Sequence, residues 1–128
     1  MKKILFFASI LLLTKALVYS QTTKVLYFKS DLSCCMAKAC NSLQNDISII
    51  VSENFSKDVS FEVIKISDPV NVDLVSNYNA KSQTVVIEKY DKKGKFIKFV
   101  DISPEVKTFG FNKDKTAFTE ILKTKIEN

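Results

Sequence analysis

A chain of 128 residues with a formal net charge of +5 and neither histidine nor tryptophan excludes several classes of protein. Without histidine it cannot build a Ser-His-Asp triad or a histidine-containing metal site. Removing Lys2, Lys3 and Lys15 of the N-terminal segment takes the charge from +5 to +2, so nucleic-acid binding has little electrostatic support.

The first 20 residues follow the pattern of a secretory signal peptide. Lys2 and Lys3 are followed by an apolar run over residues 4–13 and by small or tolerated residues at 18–20. The run is about half the ~20 residues that a membrane span needs. We predict cleavage after Ser20, a periplasmic or secreted location and no membrane span after processing. A retained anchor helix is the alternative.

The predicted mature chain, residues 21–128, begins with a strand and a long helix. Residues 25–28 are apolar on both alternating faces, which is typical of a central strand covered on each side. Asp31 or Ser33 can cap a helix that runs to about residue 55. The predicted inner face of this helix, at three- and four-residue spacing, comprises Met36, Cys40, Leu43, Ile47, Ile50 and Val51.

The remaining elements are shorter. A second strand over residues 59–66 ends at Asp68-Pro69, and a short helix over 71–79 is expected to face Val72 and Val75 inward. A third buried strand at 84–87, a hairpin turn at 91–94 and a fourth strand at 96–102 follow. Residues 104–112 are expected to be irregular. The expected inner face of the last helix, from Asp114, comprises Phe118, Ile121, Leu122 and Ile126.

This order, β-α-β-α-β-β-α, predicts a single α/β domain with a thioredoxin-like three-layer sandwich and a four-stranded mixed sheet. All three cysteines lie within seven positions, at Cys34, Cys35 and Cys40. Cysteines of exported proteins are usually paired, yet three is an odd number and the cluster is too local to staple the fold. The spacing therefore indicates a free thiol or an intermolecular disulfide.

Cys34 and Cys35 lie where the first helix begins. Helix N-termini carry unpaired amides and a partial positive charge, which stabilise a thiolate. Thioredoxin-like proteins keep a C-x-x-C motif at this position. Aligned on C-x-x-C-K, with Lys38 as its lysine, the sequence has Cys34 at the nucleophilic position and Ala37 at the resolving one. The candidate catalytic residues are Cys34 and Cys35, and the motif is degenerate.

The sequence resembles the thioredoxin-like proteins of the nitrophenyl compound nitroreductase subunit ArsF family. In that family the first helix opens with a segment like C-x-T-C-K-A; Cys34, Lys38 and Ala39 match it, whereas Ala37 does not. Further segments that resemble those of the family lie at 67–71, 77–78, 81–82 and 85–87. The family name implies a reductase subunit, but by itself it does not transfer that activity to this chain.

A second departure from active thioredoxins precedes the third strand. Those proteins normally have a cis-proline there, beside the cysteine pair, whereas residues 80–84 contain no proline. A cis bond without proline costs about 3 kcal/mol, so we expect a trans peptide. Members of the ArsF family resemble this chain in lacking that proline.

Two function classes remain open. The first is a thiol–disulfide redox protein in which Cys34 attacks a disulfide of a partner protein, and Cys35 or the partner's thiol resolves it. The second is a redox-inactive thioredoxin-fold module that binds a partner protein or a soft metal ion through relic thiols. Cys40 is predicted to pack in the core, and no cofactor is predicted.

Overall fold

The computed structural model of the protein describes residues 21–31 and 35–128. The predictions for residues 1–20 and for Cys34 lie outside this part of the chain.

The strands form one four-stranded mixed sheet. They are β1 (Thr22–Lys29), β2 (Val59–Lys65), β3 (Val85–Tyr90) and β4 (Phe96–Asp101). Their order is β2-β1-β3-β4, with β1 parallel to β2 and antiparallel to β3, and β4 antiparallel to β3. β1 lies inside the sheet, between β2 and β3, which confirms its predicted central position. A strand that is apolar on both faces must be covered on both.

Helices lie on both sides of this sheet. They are α1 (Cys35–Asn54), α2 (Val72–Asn77), α3 (Ser103–Asn112) and α4 (Lys115–Glu127), and a 3₁₀ turn over Pro69–Asn71 leads into α2. The predicted β-α-β-α-β-β-α order and the thioredoxin-like fold class are confirmed, with α3 added before the last helix. None of the helices in the described part of the chain is long and apolar enough to cross a membrane.

Alternate residues of β1 serve two separate cores. Val25 and Tyr27 point to the face covered by α1, α3 and α4, which we call the three-helix face. Buried partners from these helices on that face are Leu43, Ile47, Ile50, Val51, Val106, Phe109, Phe118 and Leu122. Leu26 and Phe28 point to the opposite face, where α2 packs; we call it the α2 face. This alternation follows from the two-residue period of a strand.

The expectation that residues 104–112 are irregular is wrong. Pro104 lies in the first turn of α3, where its missing N–H would have no helical partner in any case. Val106 and Phe109, three positions apart, are both buried against the sheet. Their burial compensates for Gly110, which lowers helix propensity by about 1 kcal/mol.

The predicted inner faces of the short helices are correct only in part. Val72 is 62% exposed instead of facing inward, whereas Leu74 and Val75 pack against the α2-face core. In α4, Phe118 and Leu122 are buried as predicted, but Ile121 is 36% exposed. A six-residue helix has too few turns for spacing to define its inner face, so tertiary packing selects it.

Candidate functional site

The candidate thiol site lies at the end of the central strand. β1 ends at Lys29 and α1 begins at Cys35, so Cys35 is the first residue of a 20-residue helix. The first turn of α1 contains no acidic residue, and Lys38 in that turn is exposed. The positive end of the helix dipole is therefore not offset by a carboxylate of the same turn. A thiolate at this helix end is favoured electrostatically.

The connection between β1 and α1 is tied to β2. The Ser67 hydroxyl, just beyond β2, donates a hydrogen bond of 2.7 Å to the Asp31 carboxylate. Asp31, one of the two predicted caps of α1, therefore links the end of β1 to the segment that follows the edge strand β2. The other predicted cap, Ser33, lies outside the described residues. Asp68 instead caps the following 3₁₀ turn by accepting from the Val70 amide. Its role is structural, as the sequence predicts for a strand end.

Cys40 is a core residue, and this prediction is confirmed. Its side chain is only 6% exposed and lies on the inner face of α1 with Leu43. The Gln83 amide Nε2 donates to the Cys40 Sγ at 3.0 Å, and the Tyr27 hydroxyl donates to the Cys40 carbonyl at 3.3 Å. Burial, with a smaller contribution from the charge of Cys40, raises the pKa of Tyr27 to about 12.

Cys40 cannot form a disulfide with Cys35 while α1 is intact. The two residues are five positions apart in a continuous helix, which separates their Cα atoms by roughly 9 Å. A disulfide requires Cα atoms within about 7 Å. A disulfide formed by Cys35 must therefore use a sulfur other than that of Cys40.

Gln83 is a residue of the site that sequence reasoning missed. It precedes β3 and has a positive φ of 66°, a conformation that disfavours residues other than glycine, asparagine and aspartate. Its backbone N–H donates to the Phe28 carbonyl at 2.9 Å, and its side chain reaches Cys40. The expected trans geometry is confirmed, since no peptide bond of the described residues is cis. The missing proline was the only sequence signal here, and it does not identify Gln83.

Two cavities meet beside Gln83. One, of about 340 Å³, lies between α1 and α3 and has Ser42, Gln83, Lys107 and Lys113 as its polar lining residues. The second, of about 580 Å³, lies where the turn before β3 meets the start of α3. Gln83 and Lys107 line both cavities. The two cavities together therefore extend from the turn before β3 along α3.

The segment Phe109-Gly110-Phe111 divides between core and surface. Phe109 is buried and stacks on Phe118 with ring centroids 4.5 Å apart. Phe111 is 82% exposed and lines the smaller cavity together with Gly110. One phenylalanine of this segment therefore belongs to the core, and the other is available to a ligand.

A second buried polar group lies on the α2 face. Glu88 is 5% exposed, and its two carboxylate oxygens accept hydrogen bonds of 2.5 Å from the hydroxyls of Tyr78 and Tyr90. Burial and these hydrogen bonds raise the pKa of Tyr90 to about 12, and the same causes raise the pKa of Tyr78. Within residues 21–31 and 35–128 no group of three or more His, Cys, Asp or Glu residues is placed to hold a metal ion.

The sheet has β1 inside it, a parallel β1–β2 pair and an antiparallel β3–β4 hairpin, and helices cover both faces. This arrangement is a thioredoxin-like fold. A comparison with models of known families found no match, and a comparison with curated proteins found none either. Among solved structures, the chain is similar to one described as the structure of a malarial protein, with 18% identity, a TM-score of 0.44, and 72% of this chain and 96% of that chain covered.

The chain is also similar to the solution structure of a thioredoxin from Thermus thermophilus. The identity is 14% and the TM-score 0.40, with 75% of this chain and 79% of that chain covered. Similarity at this level establishes neither the fold nor an activity. The roles assigned to individual residues therefore rest on the geometry described above.

Proposed function

We propose that this chain is an exported thioredoxin-fold protein with thiol-based redox chemistry, thiol–disulfide exchange or mixed-disulfide formation, at Cys34 and Cys35. The observation that carries the proposal is the start of α1 at Cys35, directly beyond the central strand and without an acidic residue in its first turn. Export is supported by the pattern of residues 1–20.

In the proposed reaction the Cys34 thiolate attacks one sulfur of a partner's disulfide. A Cys34–partner disulfide forms, the partner's S–S bond breaks, and the second partner sulfur leaves as a thiolate. Attack by the Cys35 thiolate on the Cys34 sulfur then forms a Cys34–Cys35 disulfide and releases the partner's sulfur as a thiolate. Attack by the partner's second thiolate on the partner's own sulfur instead re-forms the partner's disulfide and releases the Cys34 thiolate. Ala37 cannot supply a resolving thiolate, so we expect the mixed disulfide to persist.

The alternative is a redox-inactive binding module that holds a protein or a soft metal ion. Two observations favour it: Ala37 occupies the resolving position, and Gln83 lies in the segment where active thioredoxins have their cis-proline. A module of this kind forms no mixed disulfide with a partner. The reactivity of Cys34 therefore distinguishes the two functions.

The test is alkylation of the mature protein with a thiol-specific reagent, followed by mass spectrometry of the labelled peptides. We expect Cys34 to react first, with a pKa below the ordinary ~8.5, and Cys40 to react slowly or only after unfolding. Cys34→Ser should abolish trapped mixed disulfides with partner proteins, whereas the matched Cys40→Ser should mainly lower stability. Ordinary reactivity at Cys34 without trapped partners would favour the binding module.

Processing is tested separately. Protein recovered from the native cell envelope should begin at Gln21 when its N-terminus is sequenced. Intact Met1 in a membrane fraction would instead indicate an anchor helix.

A further inference from the structure

The cavity between α1 and α3 has the size and composition of a small-molecule site. Its volume of about 340 Å³ is at the lower end of the range for ligand pockets, which are mostly apolar with a few polar groups. Leu43, Gly110 and Phe111 contribute apolar wall, and Phe111 is a large ring left 82% exposed beside it. An exposed aromatic ring at the edge of a cavity offers an apolar ligand a contact surface.

The polar groups of this cavity are neutral or positively charged. Its ionisable lining residues in the described part of the chain are Lys107 and Lys113, and no carboxylate lines it. Lys113 is partly neutralised, since its Nζ lies 3.7 Å from a carboxylate oxygen of Asp46. Lys107 is exposed and forms no ion pair with the described carboxylates. The cavity therefore favours a ligand with a single negative charge near Lys107.

Gln83 contributes to the cavity wall a polar residue that is held in one conformation. Its backbone N–H and side-chain amide are both engaged, by Phe28 and Cys40 respectively, which holds the residue in its positive-φ conformation. Backbone held in such a sparsely populated region is often found at ligand sites.

We propose that the cavity between α1 and α3 binds a small organic anion with an apolar, aromatic body, such as an aryl carboxylate or sulfonate. The body packs between Leu43 and Phe111, and the anionic group pairs with Lys107. This site does not require the thiol chemistry proposed above.

The probe for this site is 8-anilinonaphthalene-1-sulfonate, titrated into the mature protein while its fluorescence is followed. The matched uncharged probe is N-phenyl-1-naphthylamine, which has the same rings without the sulfonate. We expect saturable binding of the sulfonate, and weaker binding of the uncharged probe. Equal or tighter binding of the uncharged probe would overturn the anion assignment, and no fluorescence change with either probe would overturn the site.

Variants locate the binding. Lys107→Gln should weaken sulfonate binding about tenfold, the value of one hydrogen bond to a charged group, and Phe111→Ala should weaken it severalfold. The controls are Lys92→Gln in the hairpin turn and Phe96→Ala on β4, both exposed and outside the cavity lining. They should leave binding unchanged. Loss of binding in Phe96→Ala, or none in Lys107→Gln and Phe111→Ala, would overturn the proposal.

Substitutions at Gly110 distinguish a loss of probe binding from a loss of folding. A Cβ at this position would lie 3.7 Å from the nearest Leu43 methyl, an ordinary contact, and would occupy space in the cavity wall. Gly110→Ala should therefore raise the melting temperature through helix propensity while weakening probe binding, and Gly110→Leu should abolish binding. Unchanged binding in a folded Gly110→Leu would refute the site. Probe binding requires no thiol reagent and no disulfide partner, so the outcome of this test is independent of thiol reactivity.

Discussion

On the three-helix face of the sheet, α1, α3 and α4 enclose a continuous apolar core that includes Tyr27 and Phe109. The α2 face has only a six-residue helix and a smaller core, and it buries the carboxylate of Glu88. Phe96 and Phe99 of β4 are 46% and 50% exposed, and their rings contact Tyr90 and Tyr78 at the border of that core. One face is thus held by apolar packing and the other also by a satisfied polar network.

The difference concerns function as well as stability. The two cavities, the start of α1 and Cys40 all belong to elements of the three-helix face or to the turn before β3. The α2 face holds no candidate thiol among the described residues. Its carboxylate is fully engaged by two tyrosines, and a buried polar network of this kind specifies packing. We interpret the three-helix face as the functional one.

The largest expected effect compares truncations in the two cores. Phe109→Ala should lower the free energy of unfolding by about 3–5 kcal/mol, because it leaves a cavity against Phe118 in a core enclosed by three helices. Leu74→Ala on the α2 face should cost about 1–2 kcal/mol, because Leu74 is only half-buried and its site can collapse. Denaturant titration measures both. Equal losses would mean that the α2 face is packed as tightly as the other.

A smaller effect should appear at alkaline pH. The tyrosine pKa values are raised above the ordinary value of 10, to about 12 for Tyr27 and Tyr90. The folded state therefore holds these protons more tightly than the unfolded state. Their stabilising contribution is fully present below about pH 10 and is lost as the pH rises through about 12. The free energy of unfolding, measured across this window, should fall.

Tyrosine-to-phenylalanine variants show which face of the sheet is responsible for the loss of stability at alkaline pH. Tyr78→Phe and Tyr90→Phe each remove a titrating hydroxyl from the α2 face, whereas Tyr27→Phe removes one from the three-helix face. The α2 face has two of the three tyrosines with a raised pKa, so its double variant should show the flatter pH dependence of the free energy of unfolding. A wild-type slope in that double variant would contradict the assignment.

The smallest expected effect concerns Gln83. Gln83→Ala keeps the unfavourable φ of 66° and loses the hydrogen bond to Cys40, whereas Gln83→Gly loses the same bond but tolerates that φ. Gln83→Gly should therefore be more stable than Gln83→Ala by about 1 kcal/mol, the cost of left-handed backbone in a residue with a Cβ. Thermal unfolding compares the two. If alanine were the more stable, the turn would have changed its conformation.

The local sequence pattern alone correctly predicted the elements that have a strong periodic signal. The apolar residues at positions 25–28 predicted a strand covered on both faces, and that pattern admits only a central position. The periodicity of α1 placed Cys40 on the buried face, where it lies. Cys34 and Cys35 were assigned to the start of a helix from position alone; α1 begins at Cys35, and Cys34 lies outside the described residues.

Other features of the structure have no local signal in the sequence, because the tertiary fold determines them. Pro104 and Gly110 argued against α3, which forms because burying Val106 and Phe109 offsets their poor propensity. Nothing near Glu88 in the chain predicts a buried carboxylate, because one of its partners, Tyr78, lies ten residues away and reaches it only across the folded α2 face. The strand order, the left-handed Gln83 and the cavities beside it likewise depend on contacts between distant segments, such as Gln83 with Phe28 and Cys40. Periodicity and turn chemistry act within a few residues, whereas these features exist only once the sheet has brought separate segments together.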